Sequence, residues 1–381
     1  MPSLHLFCRV IDNFGDIGVC WRLARQVANE HQFEVTLWVD DLPSFKRLCR
    51  AVDPALDLQQ IEAVCVRRWS DPFPDIPPQQ IPDIVIEGFG CRLPEEYLHA
   101  MAARPVKPAW INLEYLSAEA WVDSCHGLPS PHPGLPLTKH FYFPGFTAQA
   151  GGLLREHGLE QRRAAFDADP TEADAFLSQI GVSRAGHERI LTLFCYPQAP
   201  VADLFSLLQG ERSSTLCLVA EGVASDAVRA FLGTSAVAGM RVTKGGLTVQ
   251  VVPFLEQPDY DLLLWCADLN FVRGEDSFVR GQWAERPLLW HIYPQEEGAH
   301  LVKLDAFLER YCSGLPENLG TALANVMRGW NGAGIAADDW RQIWSPAAAA
   351  SLRQHARSWA GQLRVHGDLA SNLLRFAKES C

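Results

Sequence analysis

Two carboxylates four residues apart, Asp12 and Asp16, stand in the stretch Arg9-Val10-Ile11-Asp12-Asn13-Phe14-Gly15-Asp16-Ile17-Gly18. Carboxylates held together on a rigid support suit acid–base work, one pairing with a cation while the other takes a proton. A second stretch, Phe271-Val272-Arg273-Gly274-Glu275-Asp276-Ser277, offers the complementary chemistry. Backbone N–H groups at a helix start attract anions, and Arg273 adds a permanently charged fork for phosphoryl oxygens. Plainer roles fit the same residues. Asp12 can be a turn former and Asp16 a helix N-cap, Asp276 or Ser277 another N-cap, and Arg273 a surface ion pair. Tyr196 and Phe254 are each expected to end a strand, where they can stack on a nucleobase or simply fill a core. Gln257, three residues after Phe254, can read a base edge or merely begin a helix. Glu114 and Tyr115 end another apolar run, as site residues or as loop.

These residues need elements to hold them. The apolar run 4–11 followed by helical spacing over 19–27 predicts strand, tight polar loop and helix. Asn13 and the glycines of the loop suit positive φ or a close backbone approach. Further strands are expected at 33–39, 61–66, 83–87 and 108–113, with helices at 42–52 and 94–103. The proline-rich stretches 69–82 and 128–144 read as a loop and as an ordered excursion without a period. A seam at 149–152, then charged helical sequence to 175, reads as a linker or crossover. A second alternation follows, with strands at 189–196, 214–220, 268–272 and 288–293 and a hairpin over 241–253 turning at Lys244-Gly245-Gly246. Helices fall at 201–209, 224–232, 260–267 and 278–284, and the pattern is helical from 302 onward. The class is therefore α/β: two βαβ halves with parallel sheets and a helical tail. In such sheets ligands bind beyond the carboxyl ends of the strands, where both motifs lie. Two similar lobes facing a central cleft suit a transferase that handles a nucleotide-linked donor.

At 381 residues, two domains are expected. A net charge of −12 argues against binding nucleic acid or an anionic membrane through the global field. The 11 cysteines show no C-x-x-C pair, and with no apparent signal peptide they read as reduced thiols of a cytoplasmic protein. No apolar run approaches the ~20 residues of a membrane span. The first loop lacks G-x-G-x-x-G, which argues against a dinucleotide site, and the histidines lack zinc spacing. Asp167-Ala168-Asp169 has a D-x-D spacing suited to a metal, but in a polar segment where it is a weak signal.

Arg9 to Arg22 resembles the opening signature of the EarP family, bacterial protein-arginine rhamnosyltransferases that act on elongation factor P. Phe271 to Phe278 resembles that family's donor motif, and the resemblance runs on through Ile111 to Leu116 and Phe141 to Phe146. It implies a GT-B architecture. An acceptor-binding domain would span 1–150, a donor domain 151–355, and a final helix, 356–381, would cross back to the first. The implied donor is dTDP-β-L-rhamnose and the acceptor one arginine of elongation factor P. The product is α-linked, so the anomeric centre inverts, and no metal or other cofactor is implied. The resemblance casts Asp16, Asp12 and Glu275 as catalytic. Asn13, Phe14, Gly15, Tyr196, Phe254, Gln257, Arg273, Gly274, Asp276 and Ser277 would hold the donor. Asp12, Asp16, Glu114 and Tyr115 would meet the acceptor. A small-molecule or lipid acceptor, or a binding module without catalysis, remains the alternative.

Overall fold

The computed structural model describes residues 1–12, 14–332 and 334–380. Met1–His157 and the segment from Leu363 onward form one compact unit, and Gly158–Gln362 forms a second.

In chain order the first unit comprises β1 (Ser3–Cys8), α1 (Gly15–His31), β2 (Glu34–Val39), α2 (Leu42–Leu48), β3 (Leu58–Ile61), β4 (Val64–Arg68), β5 (Ile84–Gly88), α3 (Glu95–Ala103), β6 (Ala109–Leu113), α4 (Trp121–Cys125), β7 (Pro129–Pro131) and β8 (Thr138–Tyr142). The sheet order is β3-β4-β2-β1-β5-β6-β8-β7. The strands from β4 to β8 run parallel, and β3 and β7 pair antiparallel at the edges. β1 sits between β2 and β5, with Leu6 opposite Leu37 and Ile86. The chain grows outward on one side of β1 and then returns to start the other side, so the switch point lies between β1 and β5. β5 and β6 are buried throughout, as strands covered on both faces must be. Glu87 is the polar exception in β5. Its carboxylate accepts from Trp110 Nε1 at 3.1 Å and Lys139 Nζ at 3.0 Å, from the next two strands.

The second unit comprises α5 (Leu159–Ala168), α6 (Pro170–Gln179), β9 (Arg189–Leu193), α7 (Val201–Gln209), β10 (Thr215–Ala220), α8 (Ser225–Leu232), β11 (Arg241–Lys244), β12 (Leu247–Val252), α9 (Gln257–Cys266), β13 (Leu269–Arg273), α10 (Asp276–Trp283), β14 (Leu288–His291), α11 (Ala299–Cys312), α12 (Glu317–Trp330), α13 (Ala337–Ile343) and most of α14 (Pro346–Arg364). Its sheet order is β11-β12-β10-β9-β13-β14, parallel except for the β11–β12 hairpin. The switch point lies between β9 and β13. α9 and α10 are locked together by Arg280, whose Nε and NH2 meet the two Asp261 oxygens at 2.8 and 2.6 Å, both side chains being buried.

α15 (Leu369–Glu379) belongs to the first unit. Asp368 caps it by accepting from Ser371 N, Gln26 also donates to that carboxylate, and Phe376 packs on Tyr142 with ring centroids 5.3 Å apart.

Three expectations need correction. The strand placed at 61–66 is the β3–β4 hairpin, which turns at Glu62 with φ 52° and without a glycine signal. The excursion at 128–144 contains β7 and β8, and β8 extends the parallel sheet. The prolines of β7 are tolerated because it is an edge strand. The charged helical sequence expected up to 175 does form helices, α5 and α6, but from Gly158 on it belongs to the second unit and is not a linker.

Candidate functional site

Each motif lies at a switch point of its own sheet. Beyond β1 the chain turns sharply, with Gly15 N donating to Asp12 O at 2.6 Å. A Cβ on Gly15 would meet Asp12 Oδ2 at 2.5 Å, so this residue must lack a side chain for the Asp12 carboxylate to fold over it. Asp16 is the second residue of α1 and is 1% exposed. Its Oδ2 accepts from the backbone N–H of Ile11 at 2.8 Å and of Asp12 at 2.9 Å. Its Oδ1 accepts from the Tyr115 hydroxyl at 3.1 Å. Asp16 is therefore not the N-cap; Phe14 holds that position without a side-chain cap. Burial raises the Asp16 pKa from its ordinary value and nearby Asp40 adds to the rise. The two N–H groups and Tyr115 pull the other way and are outweighed.

Asp40, at the end of β2, was not singled out from sequence. It accepts from Val10 N at 2.9 Å and so braces the same loop. The Phe14 ring lies under the Arg47 guanidinium at 5.0 Å. The Tyr115 ring stacks on Phe89 at 4.4 Å, and Glu114 accepts from Asn112 Nδ2 at 2.5 Å. The geometry thus brings Asp12, Asp16 and Tyr115 together. Asn13 lies outside the described residues.

In the second unit, Arg273 closes β13 and its guanidinium lies 4.5 Å over Phe194 and 4.7 Å over Tyr196. Its NH1 donates to Cys195 O at 3.3 Å. Gly274 has φ 56°; its N–H donates to His291 O at 3.1 Å and its carbonyl accepts from Trp290 Nε1 at 2.7 Å. Glu275 occupies the N-cap position of α10, not Asp276 or Ser277, and makes no capping hydrogen bond with its side chain. The Ser277 hydroxyl accepts from Arg273 N at 2.9 Å and donates to Arg273 O at 2.5 Å, closing the loop from within. Asp276 Oδ2 accepts from Gln257 Nε2 at 3.1 Å, and Gln257 is the first residue of α9.

Neither Tyr196 nor Phe254 ends a strand; both follow one, in the loops after β9 and β12. Tyr196 is 6% exposed, packed against Arg273, His291 and Tyr293, whereas Phe254 stays partly exposed. His291, unmarked by any spacing in the sequence, accepts from Tyr196 N through Nδ1 at 3.1 Å. Burial, then the Arg273 charge, brings its pKa down to about 4, so it is neutral at pH 7. The two aspartates of Asp167-Ala168-Asp169 have structural partners. Asp167 pairs with Arg163 and Arg286, and Asp169 caps α6 by accepting from Thr171 N.

The first site can hold a cation and accept a proton. The second can take a polyanion beside a flat aromatic group. A family model described as Elongation-Factor P (EF-P) rhamnosyltransferase EarP matches residues 4–378. The protein-arginine rhamnosyltransferase of Pseudomonas aeruginosa is 47% identical over 378 residues, 99% of each chain. That of Pseudomonas putida is 44% identical over 379 residues, 98% of each. A solved structure described as the structural basis for EarP-mediated arginine glycosylation of translation elongation factor EF-P aligns over all of both chains, at TM-score 0.71 and 32% identity. The spinosyn rhamnosyltransferase SpnG, at TM-score 0.51 and 12% identity over 99% of this chain and all of its own, shares the fold alone. The architecture is that of the GT-B glycosyltransferases.

Proposed function

The chain belongs to the EarP family of EF-P rhamnosyltransferases, and on that premise we propose that it moves rhamnose from dTDP-β-L-rhamnose to one arginine side chain of EF-P, inverting the anomeric carbon. The observation that carries the proposal is the buried Asp16 carboxylate, held at both oxygens by hydrogen bonds, whose burial raises its pKa and so favours proton uptake.

A guanidinium is a poor nucleophile, because its pKa exceeds ~12 and its lone pairs are delocalised. Asp12 pairs with the acceptor cation and aims one nitrogen at the anomeric carbon. As the new C–N bond forms, that nitrogen loses a proton to Asp16. The C–O bond to the β-phosphate breaks, and dTDP leaves with the electron pair. Arg273 and the N–H groups at the start of α10 stabilise the charge that develops on the leaving oxygen, without a metal. Glu275, beside this anion, binds sugar hydroxyls or helps orient the acceptor. Phe254 stacks on thymine, with Tyr196 and Gln257 fixing the pocket around it. The first unit receives the acceptor through Asp12, Asp16, Glu114 and Tyr115, and the second holds the donor. No helix among the described residues is long and apolar enough to cross a membrane. A translation factor as acceptor places the reaction in the cytoplasm.

Intact-protein mass spectrometry of EF-P incubated with this protein, dTDP-β-L-rhamnose and EDTA tests the proposal. The expected result is one added deoxyhexose, mapped to a single arginine. No mass change with donor binding intact would discard the acceptor, and loss of the product with EDTA would discard the metal-free route.

A further inference from the structure

We infer that Phe89 is a positioning residue for the proton-accepting carboxylate, acting through the ring of Tyr115; the inference rests on the reading of Asp16 as the base.

The turn after β5 is unusual for its sequence. Phe89 adopts φ 57°, a left-handed backbone that a large side chain disfavours, and it is followed by Gly90 at φ 68°. The backbone before it lies close against β1 and α1, since a Cβ on Gly88 would come within 2.8 Å of Phe7 O and 3.0 Å of Cys20 Sγ. It is pinned to β6 at two points. Phe89 N–H donates to Leu113 O at 2.7 Å, and Gly90 N–H donates to Asn112 Oδ1 at 3.0 Å. Glycine would serve this backbone with less strain. What phenylalanine adds is its ring. That ring is 8% exposed and lies nearly flat on Tyr115, centroids 4.4 Å apart and planes 15° off parallel.

Tyr115 stands in a loop, where a phenol would otherwise sample several rotamers. Covered on one face by Phe89, it is held with its hydroxyl donating to Asp16 Oδ1 at 3.1 Å. Asp16 Oδ2 is already occupied by the Ile11 and Asp12 N–H groups. Tyr115 therefore orients the other oxygen and steadies the ionised carboxylate against burial. The charged or titratable groups near Asp16 are Asp12 on its own loop, Asp40 at the end of β2, Cys8 at the end of β1, and Tyr115 after β6. Of these, Asp40 raises the Asp16 pKa and Tyr115 lowers it. Loss of the Tyr115 hydroxyl, or of the ring that holds it, therefore raises the Asp16 pKa further. The acid limb of the pH–rate profile then moves to higher pH.

The test is that acid limb, measured as kcat/KM for EF-P at saturating donor, in the full chain and in Tyr115→Phe, Phe89→Gly, Phe89→Leu, Phe89→Tyr and the Phe89→Gly/Tyr115→Phe double variant. Tyr115→Phe is expected to shift the limb upward, lowering kcat/KM at a pH on that limb about tenfold, the worth of one charge-assisted hydrogen bond. Phe89→Gly, which relieves the backbone strain, and Phe89→Leu, which keeps an apolar side chain, shift it the same way. Phe89→Tyr restores the parent profile, and the double variant shifts no further than Tyr115→Phe alone. A shift in Tyr115→Phe with none in Phe89→Gly or Phe89→Leu overturns the inference, as do additive shifts in the double variant. No shift in Tyr115→Phe likewise overturns the inference, whereas an acid limb that persists unchanged in Asp16→Asn shows that Asp16 is not the titrating base, and the reading beneath the inference then fails first.

Discussion

The loop from β1 to α1 and the loop from β13 to α10 close by the same device with opposite electrostatic results. In each, the second residue of the helix turns its side chain back to accept the N–H of the residue four positions earlier, Asp16 from Asp12 and Ser277 from Arg273. The hydroxyl both donates and accepts within its loop and carries no charge. The carboxylate only accepts, stays buried, and is left with a raised pKa. The second loop instead takes its charge from the strand end, where Arg273 rests on two aromatic rings. One local geometry can therefore frame a base or an anion site, depending on whether the returning side chain ionises.

The sharpest way to break this comparison is to remove the charge from the first loop. Asp16→Asn keeps the shape and is expected to lower kcat by about 10²–10⁴-fold with donor affinity unchanged in calorimetry. Glu275→Ala should also cut turnover severely. Near-normal turnover in either variant removes that residue from the catalytic set.

Buried titratable groups give the two units opposite pH responses. His291 has its folded pKa lowered to about 4, so the unfolded chain takes up the proton first. Stability is lost as pH falls from the ordinary histidine range toward 4, by up to about 3 kcal/mol. Asp16 has its folded pKa raised, so its contribution is present at low pH and is lost as pH rises through the carboxylate range. Urea unfolding between pH 4 and 7 should show the first slope flattened in His291→Gln and the second flattened in Asp16→Asn. Unchanged slopes in both variants would leave the contrast without a thermodynamic basis.

Donor affinity should belong to the second loop. Arg273→Gln is expected to weaken dTDP binding by about 1.5–3 kcal/mol, and Phe254→Ala by about 1–3 kcal/mol through lost stacking. Equal weakening by Asp16→Asn, read in the same calorimetry, would erase the division of labour. The smallest effect is expected for Ser277→Ala, about 1–2 kcal/mol of stability measured by urea titration, since its two hydrogen bonds lie within one loop.

Much of this was legible in the residues. The apolar runs at β5, β6, β9 and β10 mark strands buried on both faces, because no polar residue interrupts the pattern often enough to allow another period. The two loop motifs stood out because they combine glycine with Asp, Glu or Ser at the carboxyl end of a strand, where such sheets bind ligands, although turn and capping roles fit the same residues. Less visible were β7, whose prolines suit an edge, its partner β8, and the contributions of Asp40, Phe89 and His291. Each of those three acts on a residue far away in sequence, Val10, Tyr115 and Tyr196 respectively.

The sequence by itself determined the alternation of strand and helix, the two βαβ series and the chemistry present at their ends, since periodicity and residue type are local properties. Tertiary structure decided which strands sit beside one another and therefore which loops share a switch point. It also decided that α15 packs with the first unit, that Asp16 is sealed from water while Ser277 spends its hydroxyl on its own loop, and that a strained phenylalanine lies against Tyr115. Burial and pairing across long sequence separations set these outcomes, and neither is encoded in any short window of the chain.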